Sequence, residues 1–178
     1  QIRQLQSQDS PNYEWYCFNK YPESYESWWG FSTLPNVKEE TPSYMDFIIN
    51  DADSVLKYWM KQGISGWGLG VVDELPEKFT QTFYKDLKKV DKDAVMLGEV
   101  WEDASNKSAY GVSREYLCGQ ELDSAMNYPF RQAVLDFLLG YADAGQVSVR
   151  LRSLQENYPK HNFYAIMNLL GSHDRERI

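Results

Sequence analysis

Apolar residues recur at helical spacing in four parts of the chain and predict four helical regions. The first follows Pro42, ends at Gly63, and carries Tyr44, Phe47, Ile48, Val55, Leu56, Trp59 and Met60. The second begins near Leu75-Pro76-Glu77 and carries Phe79, Phe83, Leu87 and Val90 on one face. The last two carry Phe130, Val134, Phe137 and Leu138, and then Val147, Leu151 and Leu154.

Four short apolar runs between these helices predict strands. They lie around Trp67 to Val72, from Ala94 to Gly98, from Leu122 to Met126 and from Phe163 to Leu170. Strands that alternate with helices indicate βα units and a parallel sheet. Such units fit either a small doubly wound sheet or part of a (β/α)₈ barrel, which typically needs about 250 residues. At 178 residues, we expect an α/β chain that forms half a barrel behind a leading loop.

The leading loop covers residues 1–42 and has no regular period. Turn residues divide it, and its aromatic side chains include Trp15, Tyr16, Phe18, Tyr25, Trp28, Trp29 and Phe31. A long aperiodic loop is usually functional or disordered, and this one is too aromatic for ordinary disorder. The rings either cover the edge of a core or form a platform for a ligand.

Composition and charge argue against several classes of function. The net charge of −8 argues against nucleic-acid binding, which needs Lys and Arg to neutralise phosphates. No apolar run reaches the roughly 18 residues of a membrane span, and no signal peptide is visible. Cys17 and Cys118 are too few for a disulfide scaffold, and no Cys/His spacing indicates a metal. We therefore expect no metal, no cofactor, no nucleic acid and no membrane partner.

Polar residues follow each predicted strand, where α/β proteins bind their ligands. They are Asp73 and Glu74, then Glu99, then Asn127, and finally Gly171-Ser172-His173-Asp174. Carboxylates at neighbouring strand ends, among Trp and Tyr residues, favour acid/base chemistry on a neutral polar substrate. No glycine-rich phosphate loop is present.

Each of these candidates has a structural alternative. Asp73 and Glu74 precede a helix, where the helix dipole favours acids. His173 and Asp174 could form a surface pair that satisfies itself. Glu99 lies between apolar residues, and a carboxylate there is costly to desolvate without a task or a partner.

Several segments resemble one known family. Residues 63–76 (GISGWGLGVVDELP) resemble the fourth-strand motif of the α-amylase family of glycoside hydrolases, residues 96–101 (MLGEVW) its fifth-strand motif, and residues 168–174 (NLLGSHD) its seventh-strand motif. Residues 25–31 (YESWWGF) and 123–130 (DSAMNYPF) resemble the neopullulanase and cyclomaltodextrinase branch. The resemblance covers nearly the whole chain in the family's order.

The resemblance implies part of a TIM barrel, roughly strands four to seven, that acts on α-glucans or maltooligosaccharides with retention of configuration. It assigns Glu99 as acid/base, Asp174 as the carboxylate that supports the transition state, and His173 as a sugar contact. We expect Trp101, Trp28 and Trp29 to stack against sugar rings. Residues 1–178 would then be one partial catalytic domain, a loop over 1–42 and βα units over 43–178, truncated at both ends.

The fourth-strand motif departs from the family pattern Gly-x-Asp-Gly-Trp-Arg-Leu-Asp. Gly70 occupies the position of the nucleophilic Asp, and Gly68 that of the arginine. Asp73 lies three residues beyond and is not expected to substitute. The resemblance therefore predicts impaired catalysis; the alternatives are a non-catalytic glucan-binding protein and a degenerate fragment.

The resemblance also implies a partner for the chain and a cellular location. The first three strands, with the third-strand motif, would lie before Gln1. A half barrel with open edges is expected to need a partner, either as a homo-oligomer or through the remainder of the barrel. Membership of this branch implies a cytoplasmic location.

Overall fold

A computed structural model describes residues 7–177. Two compact units divide the chain after Gln62. No helix among the described residues combines the length and apolarity that a membrane span requires. The thiols of Cys17 and Cys118 are free, the first half-buried and the second exposed. The description of 1–178 as one catalytic domain stays a prediction.

The first unit is mostly irregular, as predicted for the leading loop, but it contains a short antiparallel hairpin. Its elements, in order, are a 3-10 turn (Tyr13–Trp15), β1 (Phe18–Lys20), β2 (Ser24–Tyr25), a 3-10 turn (Trp28–Gly30), α1 (Pro42–Met45), a π-type segment (Asp46–Asn50) and α2 (Val55–Lys61). The Ser54 hydroxyl accepts from the Lys57 N–H and donates to the Ile49 carbonyl, which fixes the bend before α2.

The second unit is built of βα units around a parallel sheet. Its elements are β3 (Gly66–Leu69), a 3-10 turn (Val72–Glu74), α3 (Glu77–Val90), β4 (Val95–Gly98), β5 (Ser108–Ala109), β6 (Val112–Ser113), β7 (Ser124–Asn127), α4 (Tyr128–Leu138), α5 (Ala144–Asn157), α6 (Lys160–Ala165) and β8 (Met167–Asn168). The sheet order is β3-β4-β7-β8, and every pair is parallel. Successive units thus lie side by side, as in a (β/α)₈ barrel.

The core of this unit forms where α3 packs on the sheet. Phe79, Phe83 and Leu87 are buried, as the spacing predicted, whereas Val90 is exposed. The Trp67 ring of β3 meets Phe83 edge-on, with 5.6 Å between ring centroids. The indole of Trp67 therefore faces α3 and belongs to the packing between sheet and helix.

The last predicted strand, Phe163 to Leu170, is largely wrong. Residues Lys160–Ala165 form a helix, and only Met167–Asn168 pair with β7. Pro159 has φ −53 and directly precedes the helix, where a fixed φ favours the first turn. Asn162 then donates to the Asp123 carbonyl at 2.8 Å, which holds the helical turn against the start of the sheet.

Two smaller corrections concern the ends of elements. The first predicted strand ends at Leu69 and not at Val72, because Val71 turns into a left-handed conformation with φ 43. In α4, Phe137 and Leu138 are exposed although their spacing predicted a buried face. In both cases the apolar pattern extends further along the chain than the element or its contact with the core.

Replacing Asp136 by Asn should make the free energy of unfolding depend less on pH in the acidic range. Hydrogen bonds from Arg150, on α5, and from Gln132 hold the pKa of Asp136 below its ordinary value of 3.8. A carboxyl with a lowered pKa in the folded state contributes stability above its unfolded pKa, and this is lost as pH falls through the folded pKa. Urea midpoints measured from neutral to acidic pH should therefore fall less steeply in Asp136→Asn. Asp93→Asn, at an exposed position, serves as the control.

Candidate active site

Glu99 lies at the carboxyl end of β4, beside the end of β3. Its backbone N–H donates to the Leu69 carbonyl at 2.8 Å, and its carbonyl accepts from Val72 N–H at 3.3 Å. These two bonds continue the ladder between the strands for one residue past Gly98. The side chain is half-buried at the edge where parallel α/β sheets bind ligands, as the sequence predicted.

Three donors surround the Glu99 carboxyl group. The Val71 N–H donates to Oε2 at 2.8 Å, and the Trp101 indole Nε1–H donates to Oε1 at 2.9 Å. The Tyr128 hydroxyl lies 3.5 Å from Oε1. Val71 holds φ 43, an outlier for a β-branched residue that costs on the order of 1–3 kcal/mol. This strained turn aims the Val71 N–H at Glu99.

Of the two glycines that depart from the family pattern, only Gly70 lies next to this carboxyl group. A Cβ at Gly70 would stand 3.6 Å from Glu99 Oε2, and a Cβ at Gly68 would meet nothing within 4 Å. Retaining glycoside hydrolysis uses two carboxyl groups about 5–5.5 Å apart. Glu99 therefore lies beside Gly70, the position to which the family resemblance assigns the nucleophile.

The Asp73 carboxyl group contacts Tyr116 and Lys107. Its Oδ1 accepts from the Tyr116 hydroxyl at 2.6 Å, and its Oδ2 lies 3.2 Å from Lys107 Nζ. Burial, and then the adjacent Asp73, raise the pKa of Tyr116. Asp73 thus joins the turn after β3 to the long connection between β4 and β7.

Asn127, the polar residue after the third strand, also has a structural role. Its Oδ1 accepts from the Phe130 N–H at 3.1 Å and caps α4, while its Nδ2 donates to Asn168 Oδ1 at 2.8 Å. The side chain is buried. It therefore joins β7 to β8.

The segment after β8 brings the predicted His173 and Asp174 to the same edge of the sheet. Ser172 Oγ lies 3.1 Å from the Tyr128 hydroxyl, which also reaches Glu99. Asp174 N–H donates to Ser172 Oγ at 3.2 Å. The His173 side chain is 91% exposed and its Nε2 lies 3.2 Å from Asp174 Oδ2. The surface-pair alternative thus describes the contact that these two side chains make.

Two residues of the site were missed by the sequence analysis. Tyr128 stacks on Trp101 with 5.0 Å between centroids and 22° between planes. Arg175 places its guanidinium carbon 4.1 Å from the Trp101 centroid and 5.8 Å from that of Tyr128. Each directly follows a predicted strand-end residue, Asn127 or Asp174, and this adjacency was the available signal.

The predicted aromatic pair of the first unit forms a stack of its own. Trp28 and Trp29 have centroids 4.9 Å apart and planes at 16°. Trp29 holds φ 50 and is 72% exposed. The turn is closed by the Trp28 N–H, which donates to the Leu34 carbonyl at 2.8 Å. The role of these rings in sugar binding stays a prediction.

Among residues 7–177, no group of three His, Cys, Asp or Glu side chains has the geometry of a metal site. The side chains that the structure places at this edge include those of Glu99, Trp101, Tyr128, His173, Asp174 and Arg175. They offer one half-buried carboxyl group, aromatic surface, and exposed donors and acceptors. This inventory suits a polyhydroxyl compound, whose hydroxyls need both donors and acceptors.

Comparison with known proteins gives consistent matches. The model of the alpha amylase catalytic domain matches residues 5–178. An amylopullulanase of Thermoanaerobacterium thermosulfurigenes is 36% identical over 95% of this chain, and neopullulanase 2 of Thermoactinomyces vulgaris is 31% identical over 97%. The chain spans 10% of the first relative and 29% of the second.

A solved structure extends the match to the fold. The cyclic α-maltosyl-(1→6)-maltose hydrolase of Arthrobacter globiformis, in complex with maltose, superimposes with a TM-score of 0.85 at 28% identity. The match covers 99% of this chain and 39% of that enzyme. The parallel order β3-β4-β7-β8 thus has a counterpart within the fold of a larger enzyme.

Proposed function

The chain belongs to the alpha-amylase family of glycoside hydrolases, and on that premise we propose that it is a catalytically impaired part of an α-glucan-acting hydrolase. Its relatives include a neopullulanase, cyclomaltodextrinases and amylopullulanases, in agreement with the branch expected from the motifs. The chain forms part of the catalytic barrel. The activity and the substrates of the whole protein are proposals.

One observation carries the proposed impairment. Gly70 places no side chain beside Glu99, where a retaining mechanism needs its second carboxyl group. By the family resemblance, an Asp at this position would attack the anomeric carbon while Glu99 protonates the leaving oxygen and later activates water. Without that Asp no glycosyl-enzyme bond can form, and loss of a nucleophile costs several orders of magnitude in rate. Gly68 also removes the arginine that would lie among the carboxylates.

The remaining side chains support saccharide binding without cleavage. Trp101 is fixed by its hydrogen bond to Glu99, so its ring is held at the site. The structural relative in complex with maltose supports a maltooligosaccharide as the ligand. Asp174 and His173 add an acceptor and a donor, for which we propose the roles of support and sugar contact. In this role the chain is a glucan-binding segment.

A combined assay tests both parts of this function. The chain incubated with maltotriose, cyclodextrin or pullulan should release no reducing sugar, while maltotriose should quench Trp fluorescence saturably. Trp101→Ala should weaken this saturable binding, and Trp59→Ala, which alters an exposed indole in the first unit, should not. Sugar release that Glu99→Gln abolishes would refute the proposed impairment. Absence of saturable binding would favour the degenerate fragment, which the departures at Gly68 and Gly70 also favour.

We propose that the chain acts beside other barrel segments or a second copy of itself. In the described sheet, β3 and β8 each have one neighbouring strand, and Val95, Met167 and Leu170 expose apolar side chains. These features resemble the open edges of an incomplete barrel. The acidic net charge gives no support to nucleic acid as a partner. The branch supports a cytoplasmic location.

A further inference from the structure

Arg175 covers the aromatic surface beside Glu99. Its guanidinium carbon lies 4.1 Å from the centroid of Trp101, which is 38% exposed. Within residues 7–177, no carboxylate approaches this guanidinium at ion-pair distance, so its described contacts are the two aromatic rings. The backbone presents it there, because Arg175 N–H donates to the Ser172 carbonyl at 3.3 Å and closes a turn.

A guanidinium group and a sugar ring compete for the same kind of surface. Both are flat enough to lie on an aromatic face, the first through cation–π attraction and the second through its C–H groups. Tyr128 already stacks against Trp101, which leaves less of the indole open. We propose that Arg175 occupies the saccharide position on Trp101 and limits affinity until the ligand displaces it. This inference rests on the proposed saccharide binding at Trp101.

The platform itself does not depend on Arg175. The orientation of the Trp101 ring is fixed by the bond from Nε1 to Glu99 Oε1, and the Tyr128 ring is buried at the start of α4. Removal of the guanidinium should therefore uncover an intact surface. An exposed cation–π contact of this kind corresponds to about a two- to fivefold change in an equilibrium constant. Removal of Arg175 should raise affinity by that factor.

The first test compares maltotriose affinity by Trp fluorescence in the 178-residue chain and three variants. Arg175→Ala should bind about two- to fivefold more tightly. Arg175→Lys, which keeps the charge but loses the planar stack, should fall between. Arg177→Ala removes one exposed positive charge two residues away and should leave affinity unchanged. Unchanged affinity in Arg175→Ala would overturn the proposal, and weaker binding would show that Arg175 instead donates to the sugar.

The second test follows Arg175 itself by NMR. Its side-chain protons should be shifted upfield by the Trp101 ring in the free chain, and maltotriose should move them towards ordinary values. Binding without this movement refutes displacement but leaves the proposed saccharide function standing. Absence of binding in the wild-type chain and in Arg175→Ala alike refutes both. The Arg175 resonances are assigned as the upfield-shifted signals that are absent from the spectrum of Arg175→Ala.

Discussion

Replacing Gly66 by Ala should lower the free energy of unfolding more than the same replacement at Gly68, the other glycine of β3. A Cβ at this position would stand 2.2 Å from the backbone carbonyl oxygen of Val95 and 3.0 Å from its carbonyl carbon. Gly66 and Val95 are register partners in the parallel pair β3-β4. A backbone atom of a paired strand cannot rotate away, so the strands must separate. We expect a loss of about 3 kcal/mol in the free energy of unfolding, measured by urea denaturation.

Gly68 supplies the matched control on the same strand. A Cβ there would meet nothing within 4 Å, and no positive φ is found at this glycine. Gly68→Ala should therefore be neutral or stabilise the chain by about 0.4–1 kcal/mol through the unfolded state. Equal effects of the two substitutions would show that close approach of Val95 is not what requires Gly66.

The order of the sheet could be predicted from sequence because each βα unit carries its own signal. The helix of Phe79, Phe83 and Leu87 and the strand that ends at Gly98 were recovered within one or two residues. The strand predicted from Phe163 failed because the periodicity of a short apolar run does not distinguish a helical segment from a strand. The decisive contact, from Asn162 to the Asp123 carbonyl, joins residues far apart in sequence.

The candidate site shows the same division. Glu99 stood out because a carboxylate among apolar residues is costly, and it lies where expected. The donors that hold it could not be predicted, since Val71 acts through its backbone and Tyr128 comes from another βα unit. The contacts of Asp73 could not be predicted either, because Tyr116 and Lys107 lie in an irregular connection that follows no periodic pattern.

Replacing Asp73 by Ala should lower the free energy of unfolding by about 2 kcal/mol, less than the loss from a fully buried ion pair because Asp73 and Lys107 are partly solvated. The Asp73 and Lys107 side chains are 18% and 15% exposed, and Lys107 keeps Glu102 as a second partner. Asp73→Asn preserves an oxygen for the Tyr116 hydroxyl and should cost less than Asp73→Ala. Urea denaturation measures all three chains.

Asp73→Ala also tests whether the Asp73 side chain stabilises the fold or contacts the ligand. Tyr116→Phe removes the hydroxyl that donates to Asp73 and should cost about 1 kcal/mol. The double variant Asp73→Ala/Tyr116→Phe should cost less than the sum, because both changes remove the same hydrogen bond. Additive losses would show that the two side chains act independently. Since Asp73 touches Tyr116 and Lys107, its removal should change stability while the maltotriose affinity at Trp101 stays within about twofold. A complete loss of maltotriose binding in a variant that still folds would show that Asp73 contacts the ligand.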